Sequence, residues 1–245
     1  MSKTLVWISG ASSGIGRALA STLPWEDPQL IDISRRGSSD ADHVEADLAD
    51  PRSWETVAQS FERKLAEWSG ERAVFVHAAG VIEPIGFAGE VDTAAYSRNV
   101  ILNSAAPQVL GHAFLAAARE VDARRQILIL TSGAASSVYP GWSSYGAGKA
   151  AVDQWVRDVG AEQEIRGGVE VIAVTPGTVD TGMQEQIRET SEDDFPKRQK
   201  FVDLHQSGEL EDPEQVAREM WALLDRDLEN GAVLDLRELA EANGG

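Results

Sequence analysis

The chain has 245 residues, of which 42% are hydrophobic and 25% charged, with no cysteine and a formal net charge of −18. This length and hydrophobic content permit one large domain with a full core, and the absence of cysteine excludes disulfides, thiolate catalysis and zinc–thiolate sites. The acidic balance repels nucleic acid and anionic lipid, so neither is a predicted partner.

The amino terminus lacks the features of a signal peptide. The residues MSKTLVWISG run directly into a strand-like segment, without a longer apolar core and a cleavage site. No apolar stretch is predicted to approach the roughly 20 residues that span a bilayer. We therefore expect a soluble, cytoplasmic protein that does not bind membranes.

Short apolar segments alternate with longer amphipathic segments along the chain. This alternation predicts parallel strands joined by right-handed helical crossovers, in a sheet that helices cover on both faces. We predict one α/β domain over residues 1–245, with a doubly wound parallel sheet in three α/β/α layers. The predicted strands are 4–9, 29–33, 43–46, 73–77, 126–131, 169–175 and 232–236, and the predicted helices are 17–23, 51–68, 93–119, 146–166 and 213–224.

A polar, charged segment at residues 184–208 interrupts this alternation, with EDDFPKRQK at its centre. A long irregular insertion between a strand and a helix is typical of a lid or binding loop, although an ordinary solvated loop is the alternative. We predict a substrate lid at about residues 182–210. Its Phe195 and Phe201 are candidates to close over an aromatic ligand.

A glycine-rich turn, SGASSGIG, follows the first predicted strand and leads into a helix. Glycine permits a tight turn and a close approach of the backbone to a pyrophosphate, and a helix amino terminus offers free N–H groups. A purely structural turn is the alternative, but the position after an apolar strand favours a dinucleotide site. The predicted cofactor contacts in this turn are Gly10, Ser12, Ser13, Gly14, Ile15, Gly16 and Arg17.

The second predicted strand ends in LIDISRRG, which bears on the choice of cofactor. An acidic residue at this strand end binds the ribose 2′-hydroxyl of NAD, whereas arginine accommodates the 2′-phosphate of NADP. We place Ser34 at the selecting position with Arg35 beside it and Arg36 nearby, which favours NADP(H). A shift of two residues would instead place Asp32 there and favour NAD.

A serine, a tyrosine and a lysine lie close together in TSGAASSVYPGWSSYGAGK. Tyr145 and Lys149 are four residues apart and therefore project from one face of a helix. A phenol with a pKa near 10 is a poor acid–base catalyst at neutral pH, and we expect the ammonium group to lower that pKa. Ser132, at the end of the fifth strand, can hydrogen-bond a substrate carbonyl. With the nucleotide turn, this set predicts a redox enzyme.

These motifs resemble the short-chain dehydrogenase/reductase family over roughly residues 4–236. The resemblance implies a Rossmann-type fold in which Tyr145 donates a proton, Lys149 holds the nicotinamide ribose and Ser132 orients the carbonyl. Asn103, in RNVILNSAAPQVL, matches the fourth catalytic member of the family, which shapes a helix kink and a proton relay. Asn99 is the competing candidate for that role.

The resemblance also implies further cofactor contacts. Asp47 and Leu48 in ADLAD match the family's adenine contact, although Asp47 alternatively caps the helix near Pro51. The tetrapeptide HAAG stands where the family usually has NNAG, so His77 and Ala78 depart from the pattern and put the bracing of the sheet in doubt. The remaining implied contacts are Ala79, Gly80, Pro176, Gly177, Val179 and Thr181. The four histidines show no metal-ligand spacing, and no metal is predicted.

Within the family, SGAASSVYPGWSSY and PGTVDTGMQEQIR resemble the sepiapterin reductase and benzil reductase branch. The branch implies NADPH-dependent reduction of a carbonyl beside a second carbonyl or an aromatic ring, in an aromatic or pterin-like substrate. Trp142, Met183 and Asp235 are the candidate substrate contacts. Asp235 alternatively ends a strand at the surface.

Two functions remain open on the sequence: a carbonyl reductase, and a non-catalytic NADP(H)-sensing or scaffold protein on the same fold. The intact tyrosine–lysine pair favours the reductase. The family often pairs the helices predicted at 93–119 and 146–166 across a two-fold axis, so a homodimer is also predicted. Apolar residues at helical spacing on the two predicted helices support it, namely Val109, Phe114, Val152, Val156 and Val159.

Overall fold

The computed structural model describes residues 3–37 and 41–243 and contains a central sheet of seven parallel strands. The strand order is β3-β2-β1-β4-β5-β6-β7, so the order reverses between β1 and β4. This is the doubly wound, Rossmann-type α/β arrangement that the sequence predicts. The strands are β1 Thr4–Ser9, β2 Gln29–Ser34, β3 Asp42–Glu45, β4 Arg72–His77, β5 Arg124–Leu130, β6 Glu170–Thr175 and β7 Val233–Asp235.

Helices cover both faces of the sheet. One face packs against α2, α4 and α5, and the other against α1, α8 and α9. The helices are α1 Gly14–Ser21, α2 Trp54–Ala66, α3 Thr93–Val100, α4 Ala106–Ala117, α5 Ser143–Arg166, α6 Gly182–Glu189, α7 Arg198–Gln206, α8 Pro213–Leu223 and α9 Leu236–Asn243.

The strands are buried on both faces because their residues alternate between two cores. Leu5 and Trp7 of β1 belong to the core under α2, α4 and α5, whereas Val6 and Ile8 belong to the core under α1 and α8. Trp7 packs edge-on against Phe61 of α2 at a centroid distance of 5.2 Å. Because each residue of β1 faces one of the two cores, the strand has to be apolar along its whole length.

The prediction of an irregular segment at 184–208 is wrong, because this region contains the helices α6 and α7. Charged residues dominate its sequence and hide a short apolar set. Ile187, Phe195 and Phe201 are buried together against Trp142. A few buried anchors are enough to hold two short helices when a neighbouring aromatic surface receives them.

The prediction that no stretch is long enough to span a bilayer also needs correction. The helical run Thr93–Ala117 is long and apolar enough by length and composition alone. Core helices pass the same test, and Leu110 and Phe114 of α4 are completely buried against the sheet core. A π-helical turn at Ile101–Ala105 divides the run into α3 and α4.

Most of the apolar residues offered as a dimer surface belong to the core of the subunit. Phe114, Val152 and Val156 are 0% exposed and Val159 is nearly buried, whereas Val109 is 42% exposed. Their helical spacing therefore reflects packing on the sheet. The homodimer stays a prediction.

Candidate active site

A cavity of about 980 Å³ opens at the carboxyl ends of the strands, where the strand order reverses. In open α/β sheets this crevice is the usual ligand site. Most of the residues predicted from the sequence lie in its wall. They are Gly10, Ser12, Ser13, Gly14, Ile15, Gly16, Ser34, Arg35, Asp47, Leu48, Ala79, Gly80, Ser132, Trp142, Tyr145, Lys149, Pro176, Gly177, Val179, Thr181 and Met183.

The predicted residues Arg17, Asn103, Asp235 and Phe195 do not line the cavity. Arg17 is exposed and lines an adjoining cleft of about 530 Å³ with Asp180 and Arg188. It is therefore not brought together with Ser34 and Arg35. A helical residue one turn from the glycine loop points outward, which the linear spacing did not reveal.

The glycine turn is tightly packed against the strands. Gly10 has a φ of +77°, and a β-carbon on it would lie 3.0 Å from Cα of Ala79. A β-carbon on Gly16 would overlap the carbonyl oxygen of Gly10. Ser13, which precedes α1, makes no capping bond through its side chain. The first turn of α1 therefore presents its N–H groups toward the cavity, as a pyrophosphate requires.

The end of β2 places a serine and two arginines at the cavity. Ser34, Arg35 and Arg36 all line it. Asp32 is completely buried, outside the cavity wall, and accepts a hydrogen bond from Oγ of Ser34 at 3.1 Å. The alternative register that puts Asp32 at the ribose is therefore not favoured by its position.

Asp47 lines the cavity and does not cap the following helical turn. Its Oδ1 accepts from the backbone N–H of Ala49 at 3.1 Å, and its Oδ2 accepts from Nη2 of Arg98 at 3.0 Å. The turn at Pro51–Ser53 is capped by Asp50 instead. The alternative assignment of Asp47 as the cap is wrong, because Asp50 stands at the position next to the turn.

His77 supplies a brace between strands. Its Nδ1 lies 3.2 Å from Oγ of Ser9, and that hydroxyl also accepts from the backbone N–H groups of Ala78 and Ala79. Burial, with a smaller contribution from the charge of Lys149, lowers the pKa of His77 to about 3. A neutral histidine therefore provides a side-chain contact that the sequence analysis expected to be lost.

Asn103 lies in the π-helical turn and clamps the chain after β4. Its Nδ2 donates to the carbonyl of Val81 at 2.8 Å, and its Oδ1 accepts from the N–H of Val81 at 3.1 Å. Asn99, the competing candidate, donates to the carbonyl of Glu83 at 2.7 Å and accepts from Asn103 at 3.0 Å. Both amides are buried and bonded to each other, so the two candidates form one unit.

Ser132, Tyr145 and Lys149 meet at one wall of the cavity. The Ser132 hydroxyl lies close enough to the Tyr145 phenol to influence its pKa. Nζ of Lys149 donates to the carbonyl of Leu130 at 2.7 Å and lies 5.9 Å from the centroid of the Tyr145 ring. The four-residue spacing does place both side chains on the same face of α5, next to the end of β5.

The expectation that Lys149 lowers the pKa of Tyr145 is wrong for this structure. Burial raises the pKa of the Tyr145 phenol, and the nearby Ser132 hydroxyl offsets this only in part. Burial also lowers the pKa of Lys149 to about 8, against the opposing effect of Asp153. Desolvation has the largest effect on both pKa values because both groups are almost completely buried. Tyr145 is therefore held protonated at neutral pH, the state in which a phenol can donate a proton.

Aromatic side chains form the far end of the cavity. Trp142 stacks on Phe195 at a centroid distance of 4.5 Å and an angle of 11°, and it meets Tyr145 edge-on at 5.8 Å. Phe201 and Met183 line the cavity, whereas Phe195 is completely buried behind Trp142. Of the two lid phenylalanines, only Phe201 can therefore contact a ligand here.

Near the carboxyl terminus, Arg237 lines the cavity in place of the predicted Asp235. Asp235 forms a two-point ion pair with Arg237, with Nη2 to Oδ2 at 2.6 Å and Nε to Oδ1 at 3.0 Å, and the arginine lines the cavity. Sequence reasoning also missed Tyr139, Arg98 and Lys200. The segment SSVYPGW, with its two aromatic residues, could have indicated Tyr139. Nothing in the local sequence marks Arg98, Lys200 or Arg237.

The described residues contain no group of three or more histidines and carboxylates close enough to hold a metal ion. The wall instead combines a glycine turn that admits no β-carbon, a helix amino terminus and cationic side chains at the end of β2. These features fit a phosphate-bearing dinucleotide. The fold and site thus define a dinucleotide-binding protein with a protonated tyrosine in the same cavity.

Comparisons with known proteins identify the family. The profile described as short chain dehydrogenase matches residues 4–192. The chain therefore belongs to the short-chain dehydrogenases, enzymes that act on carbonyl or hydroxyl groups with nicotinamide cofactors.

Two curated relatives match over almost their whole length. A benzil reductase ((S)-benzoin forming) of Bacillus subtilis is 32% identical over 237 residues, covering 94% of this chain and 97% of the relative. A sepiapterin reductase of Bos taurus is 27% identical over 259 residues, covering 96% and 95%. The solved KRED1-Pglu enzyme has a TM-score of 0.79 and 26% identity, covering 94% of this chain and 99% of that one. The resemblance to the benzil and sepiapterin reductase branch is thereby confirmed.

Proposed function

We propose that this protein is an NADPH-dependent carbonyl reductase that acts on an aromatic or pterin-like ketone or α-diketone. The observation that carries the proposal is that Ser132 and protonated Tyr145 share one cavity with the glycine turn. The similarity to benzil reductases supports the same substrate class. The whole chain 1–245 would act as one domain, with α6 and α7 as its lid.

The protein's part in the reaction is to orient the carbonyl and supply a proton. Ser132 donates a hydrogen bond to the carbonyl oxygen, and the Tyr145 hydroxyl transfers its proton to that oxygen as it becomes an alcohol. A bound reduced nicotinamide would supply the hydride that reaches the carbonyl carbon. Lys149 would hold the nicotinamide ribose, and solvent then reprotonates the Tyr145 phenolate. Asn103 holds the backbone of Val81 and so fixes the part of the cavity wall that follows β4.

The choice of NADP(H) is part of this proposal. Arg35 and Arg36 line the cavity beside Ser34, and a guanidinium group suits a 2′-phosphate. Asp32 is buried away from the cavity and bonded to Ser34, so it is not available to a ribose hydroxyl. A cytoplasmic location and a homodimer stay predictions beside it.

The test is a screen in which the consumption of NADPH and of NADH is followed with benzil and related aromatic ketones. We expect turnover with NADPH and weaker turnover with NADH. Tyr145→Phe should lower kcat by roughly 10²- to 10⁴-fold, the usual contribution of a positioned acid, because the ring stays and only the proton is lost. Cofactor affinity, measured by NADPH fluorescence, should change little.

Undiminished activity in Tyr145→Phe would remove the proposed mechanism. No turnover by the wild type across the whole panel, together with tight NADPH binding, would instead favour the NADP(H)-sensing or scaffold alternative. Preference for NADH would overturn the assignment of the cofactor alone.

A further inference from the structure

The substrate end of the cavity carries two cations in a protein that is otherwise strongly acidic. Lys200 of α7 and Arg237 of α9 both line the cavity. The chain as a whole has 40 acidic and only 22 basic residues. Both side chains are exposed to the solvent of the cavity, so an anionic ligand that enters it can pair with them.

Arg237 is held in a fixed orientation next to the catalytic strand end. Its Nε and Nη2 both donate to Asp235, whose Oδ1 also accepts from the backbone N–H of Arg237 at 3.0 Å. A β-carbon built on Gly133, the residue after Ser132, would lie 3.9 Å from Nη2 of Arg237. Nη1 has no hydrogen-bond partner among residues 3–37 and 41–243. The guanidinium group is therefore pre-oriented, with donors left over, beside the carbonyl site.

Lys200 is available in the same way. Its Nζ lies 3.2 Å from Oη of Tyr139 and 5.7 Å from the ring of Phe201. Within the described part of the chain no carboxylate lies within ion-pair distance of it. Tyr139 also interacts electrostatically with Arg237, so the same phenol interacts with both cations.

Apart from Asp235, which pairs with Arg237, no acidic residue in the described part of the chain forms an ion pair with either cation. Glu83 lines the cavity on the side of α6, where it accepts from Nε2 of Gln186 at 3.4 Å, and Glu185 belongs to α6 itself. Glu211 also interacts with Arg237, but it lies outside the cavity wall, beside Gly177. Burial raises the pKa of the Glu211 carboxyl.

We infer that Arg237 and Lys200 form an anion subsite, and that the substrate is an aromatic ketone or diketone that carries a carboxylate. This inference rests on the proposed carbonyl reductase activity and adds a substrate class to it. Asp235 is a positioning residue in this arrangement, because it acts through Arg237. The ring of the substrate would lie against Trp142 and Phe201, with its carboxylate toward Tyr139.

The test uses 4-carboxybenzil and its methyl ester, and 3-carboxybenzil and its methyl ester, as matched pairs in the full-length enzyme with NADPH. We expect the wild type to have a higher kcat/KM for each acid, with an advantage that shrinks as sodium chloride is added. Arg237→Gln should lower the acid-to-ester ratio about tenfold, and Lys200→Gln should lower it by a smaller factor. Taking the ratio removes differences in the intrinsic reactivity of the ketones.

The matched control is Arg218→Gln, which removes an exposed arginine on α8 that pairs with Glu214. Its acid-to-ester ratio should equal that of the wild type.

An unchanged acid-to-ester ratio in both Arg237→Gln and Lys200→Gln, with ester reduction intact in the wild type, overturns the anion subsite. The proposed reductase activity would not be affected by that result. Failure of the wild type to reduce any acid or ester contradicts the proposed function itself. Fluorescence titration with NADPH shows that each variant is folded, and Lys200→Gln tests the subsite independently of α9.

Discussion

The two ends of the cavity are built in different ways. The nucleotide end consists of strand termini and the turn that follows β1, where Gly10 and Gly16 admit no side chain. The substrate end consists of segments far apart in the sequence, in which Trp142, Phe195 and Arg237 come from three different elements. The first end is a property of local backbone geometry, and the second is a property of packing. A substitution should therefore affect either the cofactor or the substrate, according to the end in which it lies.

The largest effect is expected from a substitution at the nucleotide end. In Gly16→Ala the new methyl group would overlap the carbonyl oxygen of Gly10, so the turn must move away from the helix. We expect cofactor affinity to fall about a hundredfold and the free energy of unfolding to fall by about 2–3 kcal/mol. NADPH titration and urea unfolding measure the two quantities. The control is Gly182→Ala, where nothing lies within 4 Å of the new methyl group, and an equal loss in both variants would contradict the argument.

A substitution behind the substrate end should separate the two functions. Phe195→Leu removes the ring that stacks on Trp142 at 4.5 Å. We expect KM for an aromatic ketone to rise several-fold and stability to fall by roughly 1–2 kcal/mol, while the dissociation constant of NADPH stays the same. Phe87→Leu is the matched control, because Phe87 is 40% exposed. A parallel loss of NADPH affinity in Phe195→Leu would mean that the two ends are not independent.

The smallest effect should appear where the ends meet, at Lys149. Its pKa of about 8 predicts that kcat/KM for reduction falls as the pH rises through about 8, since the ammonium form is lost first. The pKa of Tyr145 is raised, so the phenol titrates at higher pH. Asp153 raises the pKa of Lys149. In Asp153→Asn, the decrease of kcat/KM with rising pH should therefore begin at a pH lower by a fraction of a unit. If kcat/KM of Asp153→Asn decreases at the same pH as in the wild type, or at a higher pH, Asp153 does not act on Lys149.

The sequence predicted the nucleotide end of the cavity more accurately than the substrate end. The strands were predicted within a few residues, because a strand buried on both faces has to be continuously apolar. The glycine turn and the spacing of Tyr145 and Lys149 were found for the same reason, since each is a local rule of backbone or helix geometry. The helices α6 and α7 were missed because the segment is mainly charged, and only Ile187, Phe195 and Phe201 of it are buried in the aromatic cluster.

The protonation states could not be obtained from residue types. Tyr145 and Lys149 were expected to influence each other, but Nζ of Lys149 bonds to the carbonyl of Leu130 and burial dominates both pKa values. Likewise, the resemblance to the reductase branch indicates Asp235 as a substrate contact, whereas the nearby Arg237 is the residue that reaches the cavity. Desolvation and side-chain direction both depend on what packs around a group, and adjacent sequence does not specify that.

The amino-acid sequence by itself determined the doubly wound sheet, the dinucleotide turn and the serine–tyrosine–lysine set, because short-range periodicity and spacing encode them. The tertiary structure decided the shape and charge of the substrate end, the joint clamp of Asn99 and Asn103, and the protonated state of Tyr145. These features arise from contacts between residues that are distant in the chain and from the exclusion of water, which exist only once the chain has folded.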